Sequence, residues 1–222
     1  MTRNQLHIAF KIEMDKNSNN VAFGSYPAFL PEEIDYWLNK AMYQVISNKF
    51  TGNNALKQPF EGSVKRIHDL EKLIVTEQSG ANKQQGGNSI KFVDAFEDKL
   101  FYVDCTLTFN DKKASVILIE HENAKNFVQT YDNIPWIEKP VAVIENNDLI
   151  VYYDPVSMDS ETYTIDLTCV KQPTVITSTT SEIDEFPENV LYEIIDRAVM
   201  LALENVESNR NQTKSQLNQI DE

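Results

Sequence analysis

The sequence predicts an α+β protein: a discontinuous helical bundle, three helices from the N-terminal part and one from the C-terminal part, with an inserted antiparallel β-sheet or small sandwich. Three observations carry this reading. Apolar residues recur at helical intervals to about Gly80, alternate with polar ones between about Ile90 and Val175, and return to helical spacing after Phe186. The expected boundaries are 1–80 for the first part of the bundle, 81–178 for the β-rich insertion, 179–208 for the bundle-closing helix and 209–222 for a polar C-terminal arm.

The first helix is read in "TRNQLHIAFKIEMDK", where Thr2 is a candidate N-cap and Leu6, Phe10 and Met14 stand four apart, with Ala9 beside them. "SYPAF" ends it, because Tyr26 precedes Pro27 and is pushed out of the helical region. The second helix, "LPEEIDYWLNKAMYQVISNKF", has Pro31 in its first turn. Its acidic start (Glu32, Glu33, Asp35) and Lys49 near its end suit the helix dipole. Ile34, Leu38, Ala41, Met42, Val45 and Ile46 form a broad apolar face, and "TGNN" stops the helix. A third helix is expected over "EGSVKRIHDLEKLIV", presenting Val64, Ile67, Leu70, Leu73 and Ile74. Each helix has one apolar stripe to bury, which implies a bundle. Thr76 to Ser89, polar and containing three glycines, is expected to be a linker or loop.

In the middle zone, "LFYVDCTLTF" places Phe101, Val103, Cys105, Leu107 and Phe109 on one face of a strand. "NDKK" reads as a turn and "ASVILIE" as the hairpin partner; "VAVIENNDLIVYYDP" reads as a second hairpin turning at Asn146, Asn147 and Asp148. "TYTIDLTCV" alternates again, with Tyr163, Ile165, Leu167 and Cys169 inward. A short helix and a loop containing Trp136 are expected between the hairpins. In the last helix Pro187 fits the first turn, and Leu191, Ile194, Ile195, Ala198, Leu201, Ala202 and Val206 form a wide stripe. Ala198 and Ala202, one turn apart, let a neighbouring backbone come close. The helix is therefore expected to be the central member of the bundle.

The totals bound the function. At 222 residues the chain is long enough for a real core, and 41% hydrophobic with 24% charged content is ordinary for a globular protein. Two cysteines are too few for a disulfide framework and fit a reducing compartment. No run approaches the roughly 20 apolar residues of a membrane span, so a soluble protein made in a cytoplasm is expected. The formal charge is −14, and nearly all of the excess lies after Lys72. A field of that sign repels phosphate backbones and disfavours ordinary nucleic-acid binding.

No catalytic, cofactor or metal constellation emerges. His7 and His68 sit off the main apolar stripes and read as surface residues. His121 stands between Glu120 and Glu122, but strand neighbours point to opposite faces and no second histidine stands at ligand spacing. Cys105 and Cys169 read as small core residues. An enzyme would have His121 with its neighbouring carboxylates as its site; nothing in the residues favours that. Tyr36 and Tyr43, seven apart on nearly the same side of the second helix, hint at a second buried face. One buried face suits a monomer, and two suit a helix packed between its own bundle and a neighbouring subunit, which makes these tyrosines the candidate interface residues. Leu217 and Ile220 are the apolar points of the polar tail, which reads either as a frayed end or as an arm that orders on a partner, with these two residues as its anchors.

Two stretches resemble a known group. "SYPAFLPEEIDYWLNKAMYQVISNKFTGNN" (Ser25 to Asn54) resembles the early helical segment of structural proteins from crAss-like and related Bacteroidetes phages. "FPENVLYEIIDRAVMLALENVESNR" (Phe186 to Arg210) resembles the helix near their C-terminus. Together they cover roughly a quarter of the chain. The order of elements is also similar to the head–tail connector ring proteins of short-tailed phages, the tail tubular protein A type of adaptor. That resemblance implies a virion protein without catalytic residues or cofactors, synthesised in the cytoplasm of a bacterial host. It further implies a closed ring, typically a dodecamer, bound to the portal protein and to adjacent tail or ring proteins, with DNA passing unbound through its channel and no membrane contact. The alternative from the residues alone is a non-enzymatic soluble binding module or assembly factor.

Overall fold

The computed structural model describes residues 1–16, 29–52, 60–62, 64–80, 89–109, 112–124, 135–136, 138–153, 163–180 and 182–205. The protein is a mixed α+β chain of helices and two four-stranded sheets. It divides into two compact units, one made of residues 1–73 with 173–222 and the other of 74–172.

In the helical unit, α1 spans Arg3–Lys16. Thr2 caps it reciprocally: Gln5 N–H donates to Thr2 Oγ1 at 3.3 Å, and Thr2 N–H donates to Gln5 Oε1 at 2.9 Å. Leu6, Phe10 and Met14 are buried, as their spacing predicts. Helix α2 spans Pro31–Thr51, with Pro31 in its first turn and Gly52 at φ 72° just past its end. That left-handed conformation is the one glycine adopts without a Cβ clash, so the helix stops there. All six residues of the expected apolar face of α2 are buried.

The third helix is shorter than its periodicity predicts. Helix α3 covers only Val64–Leu70, a 3₁₀ turn covers Glu71–Leu73, and a strand begins at Ile74. Val64 is 84% exposed and Ile67 is 38% exposed, so the expected stripe carries only Leu70 and Leu73 into the core. The reason is local: Ile74, Val75 and Thr76 are β-branched in succession and favour extended backbone.

Helix α4 spans Glu188–Asn205. Pro187 sits one residue before it and supplies the carbonyl that accepts the first N–H groups, those of Val190 and Leu191. Its burial is wider than a stripe, because every residue from Ala198 to Leu203 is buried. Asn39 on α2 donates to the Ile176 carbonyl at 2.9 Å and accepts from the Ile176 N–H at 2.8 Å. Arg197 on α4 donates to Gln44 on α2 at 2.9 Å.

The β unit holds β1 (Ile74–Gly80), β2 (Ser89–Phe92), β3 (Lys99–Phe109), β4 (Lys112–Ser115), β5 (Ile117–Leu118), β6 (Val141–Glu145), β7 (Asp148–Tyr152) and β8 (Tyr163–Lys171). They form sheets of order β1-β8-β3-β4 and β2-β7-β6-β5. Ile90, Phe92, Leu149 and Val151 of one sheet share a buried cluster with Cys105, Leu107, Ile165 and Leu167 of the other. This is a small sandwich, the second of the expected alternatives. The polar stretch read as a linker contributes residues 76–80 to β1, an edge strand with Thr76, Glu77 and Gln78 exposed. Residues 81–88 lie outside the described residues, as do Leu217 and Ile220.

Two strand expectations are corrected. In β3 only Cys105, Leu107 and Phe109 are buried, because irregular pairing with β8 between Tyr102 and Asp104 interrupts the alternation. "ASVILIE" is not one strand. Lys112–Ser115 pairs with β3, Val116 turns the corner while its N–H still bonds the Cys105 carbonyl at 2.9 Å, and Ile117–Leu118 joins the other sheet parallel to β6. The β6–β7 hairpin forms where it was read but turns more tightly: Asn146 and Asn147 at φ 51° and 68° make a two-residue turn, and Asp148, expected in the turn, opens β7 opposite Glu145.

Candidate interaction surface

The described charged residues of the helical unit are used first to fasten its helices. Asp35, read as a dipole-facing carboxylate, is buried at 6% exposure. Arg3 Nη2 donates to its Oδ2 at 2.6 Å, Arg3 Nε lies 3.1 Å from Oδ1, and His7 Nε2 stands 2.7 Å from Oδ1. Burial raises the pKa of this carboxyl, but the hydrogen bonds from Arg3 and His7 outweigh that and hold it below the usual carboxylate range. His7 is therefore not a surface residue. Its partner stands 28 positions away on α2, a distance no helical periodicity reveals.

A second cluster joins α2, α3 and α4. Lys49 Nζ lies 3.0 Å from Asp69 Oδ2 and 2.8 Å from Glu193 Oε2, while Asn189 Nδ2 donates to Asp69 Oδ1 at 3.1 Å. Asp69 is 1% exposed. Burial opposes the charge on Lys49, but Glu193 and Asp69 prevail and raise its pKa. The position of Lys49 in the last turn of α2 was legible in the sequence; its two carboxylate partners were not.

The remaining histidines make one contact each. Exposed His68 pairs with Glu71 at 3.1 Å. His121 opens a helical turn over residues 121–124 rather than lying on a strand, and its Nε2 meets the Ile144 carbonyl at 2.9 Å. Both cysteines are buried and free, and burial pushes the Cys105 thiol up to about 12. Among the described residues, no group of three or more histidine, cysteine, aspartate or glutamate side chains is placed to hold a metal ion. No described helix is long and apolar enough to cross a membrane.

Among the described residues, a groove of about 630 Å³ lies between α1 and α4. Buried Phe186 and Leu191 form its floor, and Ile8, Ile12 and Tyr192 line it while remaining 57%, 48% and 50% exposed. Glu182, Asp184, Glu188 and Lys72 add charge along it. The groove exists because α1 carries two apolar stripes. Leu6, Phe10 and Met14 enter the core, and Ile8 and Ile12, four apart, lie roughly opposite. That second stripe was visible in the sequence and was overshadowed by the first.

The expected interface residues stand elsewhere. Tyr36 is exposed and meets Trp37 edge-on with ring centroids 5.0 Å apart, and Lys40 Nζ lies 5.4 Å over the Trp37 ring. Tyr43 is half-buried, and neither tyrosine lines the groove. No protein-family model matches the chain, and no curated protein matches it.

Proposed function

We propose that the chain is a phage virion structural protein, a non-enzymatic subunit of the ring that joins the portal to the tail and surrounds the DNA channel. The observation that carries this reading is the order and grouping of the elements. Helices precede residue 74, strands fill 74–171, and α4 returns to the same compact unit as the first helices. In this reading that unit is a discontinuous bundle of three N-terminal helices and one C-terminal helix, the layout of the connector proteins that Ser25–Asn54 and Phe186–Arg210 resemble.

Two further features support it. A closed ring needs head-to-tail contacts, so each subunit must carry two different adhesive surfaces. The α1–α4 groove offers one, and the Tyr36 face of α2 offers a second. The charge of −14 suits a wall past which DNA must slide without adhering. The partners are then other copies of the chain, twelve in the resembling family, together with the portal and the adjacent tail or ring proteins. Quantitative mass spectrometry of purified particles tests the reading. Copies in number equal to those of the portal subunit are expected; absence from the particles overturns it and favours an assembly factor.

A further inference from the structure

We propose that the two edges of one sheet in the β unit join successive copies of the chain: β1 of one copy adds antiparallel to β4 of the next. The contact uses the β unit alone and does not rest on the ring reading.

Three observations carry it. The first is direction. The sheet has the order β1-β8-β3-β4, and each of its ladders is antiparallel. Four alternating strands leave the two edge strands running opposite ways. A second copy set edge to edge in the same orientation therefore continues the alternation, and repetition joins copies head to tail.

The second is the backbone. Hydrogen-bonded pairs alternate along an antiparallel ladder. Val116 N–H bonds the Cys105 carbonyl, so Ala114 turns its backbone to Leu107, while Lys113 and Ser115 turn theirs away from β3. Followed across β3 and β8, the same alternation turns Glu77 toward Leu167 and leaves the N–H and C=O groups of Thr76 and Gln78 facing out from β1. Both edges thus offer outward groups on alternate residues. Strand β1 is also unguarded. It is seven residues long, keeps its register with β8 without a bulge, and contains neither lysine nor proline, the devices that keep an edge from pairing.

The third is side-chain fit. Thr76 set opposite Lys113 of the next copy brings Val75 opposite Ala114 and Glu77 opposite Lys112. Val75 and Ala114 both lie on the side of the sheet that packs on the buried cluster. Glu77 holds Lys99 at 2.6 Å yet remains 57% exposed, and Lys112 is exposed. The only charged residue of β1 is Glu77, and those of β4 are Lys112 and Lys113, so unlike edges attract and like edges repel.

Disulfide trapping in the full-length chain tests the contact. Within one copy, β1 and β4 stand three strand spacings apart, about 14 Å, too far for a disulfide between residues 76 and 113. Thr76→Cys with Lys113→Cys can therefore close only between copies, where a paired ladder brings the Cα atoms to about 5.5 Å. Both positions are exposed, and the native Cys105 and Cys169 are buried. Under mild oxidation at high protein concentration, the double variant is expected to give a ladder of dimers, trimers and larger species, and each single variant to stay largely monomeric. Adding Lys112→Glu should lower the multimer yield several-fold, and adding Glu77→Lys with it should restore most of that loss. Dimers from Thr76→Cys alone, as abundant as those of the double variant, would mean that β1 pairs with a second β1. A yield unmoved by Lys112→Glu would mean chance collision. Either result, or no multimers at all, overturns the proposal. A chain that forms a ring with portal but gives no ladder would sink this contact and leave the ring reading standing.

Discussion

Asp69 and Asp35 show how single charged residues fix the helical unit. Asp69 is almost fully enclosed and is balanced by Lys49 and Asn189. Removing the cation leaves an uncompensated buried carboxylate, a change that costs about 3–5 kcal/mol. Lys49→Met should therefore lower the urea midpoint strongly with the slope unchanged; a midpoint near that of the parent would show that Asp69 does not depend on Lys49. Asp35 has its pKa depressed in the folded chain, so its contribution is present above the unfolded carboxyl value of about 3.9. That contribution is lost as pH falls from there through the folded value. Denaturant titrations from pH 6 to pH 2 should show a loss of stability below about pH 4 that Asp35→Asn makes shallower. The Lys49 and Asp35 clusters were only half legible in sequence. A carboxylate near a helix start announces a dipole contact; that Arg3 and His7 turn toward it follows only from packing of α1 on α2.

At the scale of elements, the β6–β7 hairpin is the most sharply specified. Asn146 and Asn147 both hold positive φ, a region that asparagine tolerates and β-branched residues do not. Asn147→Val should destabilise the β unit by about 1–2 kcal/mol, the cost of a left-handed non-glycine residue, whereas Asn147→Gly should be neutral or stabilising. Equal melting temperatures for the two variants would contradict the turn assignment. The hairpin was readable because turn chemistry and alternation agree. The end of α3 was not, because Leu70, Leu73 and Ile74 satisfy helical spacing while Ile74, Val75 and Thr76 prefer a strand. Likewise β1 was missed because an edge strand with exposed Thr76, Glu77 and Gln78 has little apolar alternation to reveal it.

For the whole molecule, the β unit leaves and rejoins the helical unit through neighbouring strands. Ile74, at the start of β1, pairs with Val170, near the end of β8. The two ends of the excised region therefore lie side by side, and replacing residues 74–172 by a short Gly-Ser linker should leave a chain with helical circular dichroism and a cooperative transition. Loss of the helical signal would show that the helices need the strands to fold. The α+β class and most of the apolar faces were legible in the sequence, because periodicity reports burial directly. That Ile8, Ile12 and Tyr192 stay exposed was not, although Ile8 and Ile12 stand at helical spacing, since an exposed apolar side chain differs from a core one only in what packs on it. The proposed ring requires copies of this chain to close on the portal. Native mass measurement of the purified protein mixed with portal tests it most directly. A discrete high-order complex, with a single copy number that negative-stain images show as a ring, is the expected result; a chain that stays monomeric in the presence of portal would contradict the claim.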